Sequence, residues 1–162
     1  MKKILVSGTF DPPTLGHLSI IKQCSEIFES TVVCVFINPE KTPMFSLDMR
    51  MEMLREMCKD SPSVTVDSHE GMLYEYAEKN SIEYIARGIR GADDVEYEVY
   101  MARKNREYNS NLSTLFFPSS ESLKDISSTL VRENINNEEY LNKVLPAAVV
   151  NIIMKNAGDG KK

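Results

Sequence analysis

The period of the hydrophobic positions changes repeatedly along this chain. The run "KILVS" (3–7) is apolar through its middle, as in a short strand covered on both faces. Beyond it, Ile20, Ile21, Cys24, Ile27 and Phe28 recur at helical spacing and predict a helix over about 14–29. "TVVCVFI" (31–37) is β-branched, apolar and bounded by "NPE", which predicts a second buried strand. There follow a helix in "SLDMRMEMLREMCKD" capped by Ser46, a strand in "SVTVD" and a helix around "LYEYAEKN". A strand in "IEYIA", a long helix over about 94–108, a fifth strand in "STLFF" and helices from Ser127 onward complete the series. Apolar strands alternating with helices predict an α/β fold, a doubly wound five-stranded parallel sheet. Such sheets bind ligands beyond the carboxyl ends of their strands, near the point where strand order reverses. The segments directly after strands are therefore where chemistry is expected.

Composition narrows the picture. The 162 residues fit one domain (1–162), with "NAGDGKK" at the end expected to fray. Apolar residues at 42% and charged residues at 27% are ordinary for a globular protein. A net charge of −5 argues against non-specific nucleic-acid binding but leaves anionic small molecules open. Cys24, Cys34 and Cys58 form no C-x-x-C, and free buried thiols in a reducing cytoplasm are expected. No run approaches the roughly 18 apolar residues of a membrane span, and that of "MKKILVSG" is too short for a signal peptide. A cytoplasmic protein without membrane partners follows as the expectation. His69, in "DSHEG", reads as an exposed loop residue, and the closely spaced Met44, Met49, Met51, Met53 and Met57 as core filler. The acidic residues show no metal-ligand pattern. Without a Walker A motif or G-x-G-x-x-G, P-loop hydrolysis and dinucleotide redox chemistry are disfavoured.

Four post-strand segments carry the candidate chemistry. In "SGTFDPPTLGH" (7–17), Gly8 allows close backbone approach to a ligand and Thr9 offers a hydroxyl and an N–H. Gly16 and His17 fall in the first helical turn, where unpaired N–H groups favour an anion and an imidazole can donate to a phosphate oxygen. The alternative is a Thr14-capped helix with His17 in solvent. "NPEKTPMF" puts Lys41 at the same sheet edge, where a solvated surface charge is the competing reading. "IARGIRG" supplies Arg87 and Arg90 around Gly88; they suit oxyanions, unless Asp93 and Asp94 neutralise them. "SSESLKDISSTLVRE" enters a helix at 127–129 and offers capping hydroxyls and a second anion site. On the long helix, Glu98, Met101 and Asn105 share one face, mixed enough to wall a site. No Ser-His-Asp or Cys-His arrangement is supported.

Together these segments resemble the nucleotidyltransferase superfamily, whose fold is Rossmann-like. "GTFDPPTLGH" is similar to the T-x-G-H form of its H-x-G-H signature, and "ISSTLVRE" to its second signature. "KTPMF" and "RGIRGADDVEYEVYMARKNREY" resemble segments of the bacterial phosphopantetheine adenylyltransferases, and the likeness runs from Lys3 to about Pro146. The resemblance implies transfer of the adenylyl group of ATP to 4′-phosphopantetheine, giving 3′-dephospho-CoA and pyrophosphate. It also implies Mg²⁺, a homohexamer and feedback by coenzyme A. By matching position it implies catalytic roles for His17 and Arg90. It assigns ATP contacts to Thr9, Phe10 (through its backbone), His17, Gly88, Ile89, Arg90 and Glu98, and to Leu123, Lys124, Asp125, Ile126, Ser127, Ser128 and Thr129. Phosphopantetheine would meet Thr9, Lys41, Leu73, Arg87, Met101 and Asn105. Two positions depart from the family pattern: Leu123 stands where an aromatic residue is common, and Thr42 where a second lysine is common. Sister cytidylyl- and adenylyltransferases carry histidine at the position of Thr14, and a non-catalytic nucleotide sensor is the rival from another class.

Overall fold

The computed structural model describes residues 2–40 and 42–159. Five strands form one sheet: β1 (Lys3–Gly8), β2 (Ser30–Ile37), β3 (Val64–Glu70), β4 (Tyr84–Ile89) and β5 (Ser113–Pro118). Their order is β3-β2-β1-β4-β5 and every pairing is parallel. The first four connections contain α1 (Leu15–Ile27), α2 (Leu47–Cys58), α3 (Leu73–Lys79) and α4 (Ala92–Tyr108). After β5 come α5 (Ser128–Glu133), α6 (Glu138–Val144) and α7 (Ala147–Asp159).

Strand alternation decides which helices cover which face. Ile4 and Val6 of β1 pack with Ile21 and Cys24 of α1 and with Met51 and Leu54 of α2. Between them, Leu5 points the other way, into a cluster with Cys34, Ile85 and the α3 residues Tyr76 and Ala77. A third cluster, with Phe45 and Met53 against Val131, Leu141 and Val149, fastens the C-terminal helices to α2. The chain runs outward from β1 through β2 to β3, then crosses back to β4 on the opposite side. The carboxyl ends of β1 and β4 therefore flank the reversal point, where an open α/β sheet leaves a crevice.

The five strands lie where the hydrophobic pattern puts them, and all three cysteines are buried free thiols. Burial pushes the Cys24 and Cys34 thiols up to about 12, and Cys58 to about 11. Other expectations need correcting. The long helix starts at Ala92 rather than Asp94. His69 is no loop residue: β3 extends to Glu70, and the imidazole packs against Phe36 and Tyr76 at centroid distances of 5.7 and 5.1 Å. β3 is an edge strand, and the polar residues of its second half, Asp67–Glu70, conceal from a search for apolar runs how far it extends beyond "SVTVD". Met51 and Met53 are core residues, but Met44 is exposed. Helix α7 runs to Asp159, and 160–162, the end of "NAGDGKK", lie outside the described residues.

Candidate active site

The turn after β1 is built from its own side chains. Phe10, at φ 50°, tucks its ring back into the core, and a Cβ on Gly8 would lie 3.1 Å from that ring. The small residue at position 8 thus makes room for Phe10, a reason the ligand-based expectation did not contain. Thr14 caps α1: its hydroxyl accepts from the His17 amide at 3.4 Å. The His17 ring answers, Nδ1 accepting from the Thr14 amide at 3.0 Å. A backbone amide can only donate, so Nδ1 carries the lone pair and Nε2 the hydrogen. Burial, followed by the charges of Arg87 and then Arg90, lowers the His17 pKa to about 4. At neutral pH the ring is an uncharged donor with one free N–H. The two readings of this turn are joined, since Thr14 caps the helix and His17 is half-buried rather than free in solvent.

Two other elements, α2 and α5, grip the carbonyls of the same turn. Arg50, buried on α2, donates to the Thr9 carbonyl at 2.8 Å and to the Phe45 carbonyl at 3.1 Å. Arg132 of α5 donates to the Asp11 carbonyl at 2.7 Å, and the Ser128 hydroxyl to the Pro12 carbonyl at 2.8 Å. Ser127 caps α5, accepting from the Leu130 amide at 3.2 Å. The second signature thus holds the first in place.

Across the crevice, β4 ends in "RGI" and delivers two guanidinium groups. Arg87 forms a fork on Glu98 of α4, with Nε and Nη2 each 2.7 Å from a carboxylate oxygen, and also reaches the Ser7 carbonyl at 3.2 Å. Arg90 makes the same fork with Asp94, both contacts at 3.0 Å. The hydrogen bonds to Glu98 raise the Arg87 pKa, and Arg90 holds the Asp94 carboxyl below its ordinary value. Neutralisation by Asp94 was an open alternative for these arginines; Glu98 as the partner of Arg87 was not foreseen. At Gly88 a Cβ would lie 2.5 Å from Ile20 Cδ1, so the tip of that side chain would have to shift to admit one.

These walls enclose a cavity of about 280 Å³. Among the anticipated residues, His17, Arg87, Gly88, Arg90, Glu98, Leu123, Ile126, Ser127 and Ser128 line it. Lys124 and Asp125 line a shallower depression that shares Arg90 and Asp94 with it. Thr9 and Phe10 lie in the turn after β1, Ile89 ends β4 and Thr129 lies in the first turn of α5, and none of them lines the cavity. Leu73 packs on the α3 face of the sheet, while Met101 and Asn105 continue along α4 beyond Glu98. Lys41 lies outside the described residues. Asp11, Arg50 and Arg132 escaped the sequence reading. Nothing in the sequence singles out Arg50, because Asp48, Glu52, Arg55 and Glu56 are charged as well in the methionine-rich α2 pattern.

A cytidylyltransferase-like family model matches residues 5–134. A protein of Actinobacillus pleuropneumoniae serotype 3 (strain JL03), named phosphopantetheine adenylyltransferase, is 38% identical over 147 residues, covering 91% of this chain and 93% of the relative. A protein of that name from Caldanaerobacter subterraneus subsp. tengcongensis is 38% identical over 155 residues, covering 96% and 97%. Among solved structures, Thermotoga maritima TmcAL, crystallised with alpha-thio ATP, superposes with a TM-score of 0.71 at 14% identity, a likeness of fold. That match covers 99% of this chain and spans 57% of the TmcAL chain. With near-complete coverage by relatives well above a third identical, and with both signatures at the crevice, the chain belongs to the phosphopantetheine adenylyltransferase family.

Proposed function

We propose that the protein transfers the adenylyl group of ATP to 4′-phosphopantetheine, giving 3′-dephospho-CoA and pyrophosphate in coenzyme A biosynthesis. The observation that carries this reading is the single free donor of His17, facing a cavity whose other wall holds Arg87 and Arg90. His17 cannot serve as a general base, because its Nδ1 is already accepting and its Nε2 is protonated. The cavity serines therefore have no activating partner in His17, and the acceptor's own phosphate is the nucleophile. It attacks the α-phosphorus in line as pyrophosphate leaves, so catalysis consists of positioning and charge stabilisation. His17 Nε2–H, Arg90 and the N–H groups at the start of α5 would bind the oxygens where charge accumulates. Gly88, Ile89, Glu98 and the 123–129 segment would hold ATP. Lys41, Leu73, Arg87, Met101 and Asn105 would take phosphopantetheine, with Thr9 touching both.

Mg²⁺ would arrive with the triphosphate and help to neutralise it. Among the described residues no three carboxylate, histidine or cysteine groups cluster as a metal cage, and Asp94 and Glu98 are held by guanidinium groups. That donor set fits an ion carried mainly by phosphate oxygens and water. The reading further includes a homohexamer, feedback by coenzyme A and a cytoplasmic location. Exposed Val95, Tyr97 and Tyr100 on α4 favour assembly, and among the described residues no helix is long and apolar enough to cross a membrane. Pyrophosphate release tests the reaction. It is expected from ATP with phosphopantetheine, and not from CTP with phosphopantetheine or ATP with nicotinamide mononucleotide. Release from a control pair alone would replace this reading with a sister transferase.

A further inference from the structure

One carboxylate outside the cavity touches three of the chemistry-bearing segments. Asp11 is buried, yet its oxygens face two backbone donors of the segment between β2 and α2. Oδ2 accepts from the Met44 amide at 2.8 Å, and Oδ1 from the Phe45 amide at 2.9 Å. Arg132 of α5 approaches Oδ2 at 3.7 Å while donating to the Asp11 carbonyl. Arg50 closes the circuit by bonding the carbonyls of both Thr9 and Phe45. The 44–45 segment thus hangs from the first signature by two hydrogen bonds to a charged acceptor, a strong class of such bonds. A buried carboxylate carries a desolvation penalty that a purely structural contact could avoid. Its two oxygens also discriminate sharply: an asparagine of the same shape would turn an NH₂ toward one of two N–H donors.

We propose that Asp11 is a positioning residue that fixes Met44 and Phe45 against the β1 turn, and so sets acceptor binding rather than nucleotide binding. This rests on the adenylyl-transfer reading, in which Lys41, three positions before Met44 in the sequence, is an acceptor contact. Asp11 itself touches neither substrate. The directness of its grip predicts the asymmetry: both short bonds go to Met44 and Phe45, whereas α5 is held through the Asp11 backbone, which a side-chain change leaves in place.

The test is steady-state kinetics of Asp11→Asn combined with amide hydrogen exchange. The KM for phosphopantetheine is expected to rise about tenfold, the scale of one charge-assisted hydrogen bond. The KM for ATP should stay within about twofold, which is below the scale of one such bond. Exchange at Met44 and Phe45 should accelerate while that of the β1 amides does not. Loss of kcat with both KM values unchanged would mean a structural role only and overturn the proposal, as would an equal rise in both KM values. If Asp11→Asn does not fold, wild-type protein decides. Protection at Met44 and Phe45 that deepens with phosphopantetheine but not with ATP supports the clamp, and exchange at open-loop rates overturns it. A wild-type protein inactive on phosphopantetheine would remove the reaction assignment, and the Asp11→Asn exchange result alone would then judge the clamp.

Discussion

The two sides of the crevice are organised by opposite means. On the β1 side, three carbonyls of the turn are satisfied inside the protein: those of Thr9, Asp11 and Pro12 accept from Arg50, Arg132 and Ser128. One donor, Nε2–H of His17, is left facing the cavity. On the β4 side, each cation is met by a carboxylate of α4, Arg87 by Glu98 and Arg90 by Asp94. An arriving phosphate finds the first side preset and must share or displace ion pairs on the second. Fixed dipoles provide stabilisation with little reorganisation, whereas paired charges keep a buried site tolerable while it is empty of anions. Rate should thus depend mainly on the β1 side, and stability and anion affinity on the β4 side.

Experiments can break or sharpen that division. His17→Ala carries the largest effect. Removing one preset donor should cut kcat by about 10²–10³, while the lost reciprocal cap costs about 1 kcal/mol of stability; rapid-quench turnover and thermal melts would measure the two. Acidification comes next. His17 titrates near 4 when folded and near its ordinary 6.5 when unfolded, so between these values the unfolded chain binds more protons. Stability must therefore fall with pH through that window, by roughly 3 kcal/mol in all. Urea melts at pH 7 and pH 4.5 would register most of this, and His17→Asn should flatten the difference. Arg87→Met follows: it strands the Glu98 carboxylate, buried to all but 10% of its side chain. Because the arginine is itself partly exposed, a loss of about 2–3 kcal/mol is expected, at or below the lower end for a broken buried pair. The double variant with Glu98→Leu should regain most of the stability but not the activity. Asp94→Asn is the smallest change. Its exposed pair with Arg90 contributes under about 0.5 kcal/mol, so melting should barely move while calorimetry detects tighter binding of ATP. A stability loss as large as that of Arg87→Met would contradict the contrast.

What could be read from sequence follows the same division. The strands were visible because parallel strands covered on both faces are apolar throughout, and the cavity lies at the reversal point that their order requires. His17, Arg87, Gly88, Arg90 and Ser127 were recognisable because each lies at the carboxyl end of a strand or opens a helix. Asp11 and Arg132 were not, because their partners are backbone atoms from distant segments, and no local spacing marks such a bond. Glu98 was assigned to a site wall, yet its fork with Arg87 spans 11 residues and depends on how α4 docks on β4. Gly8 stands out in the sequence for ligand access, whereas the ring of Phe10 is what occupies the space beside it.

The amide of Thr14 has a consequence for how the protein would turn over. With Nδ1 permanently occupied, the imidazole cannot pass a proton from one nitrogen to the other, as a relay histidine does. As long as that bond holds, the ring acts only as a donor through Nε2. No regeneration step then separates one turnover from the next, and pyrophosphorolysis meets the same donor as synthesis. On this geometry, direction is left to the supply of acceptor and the removal of pyrophosphate.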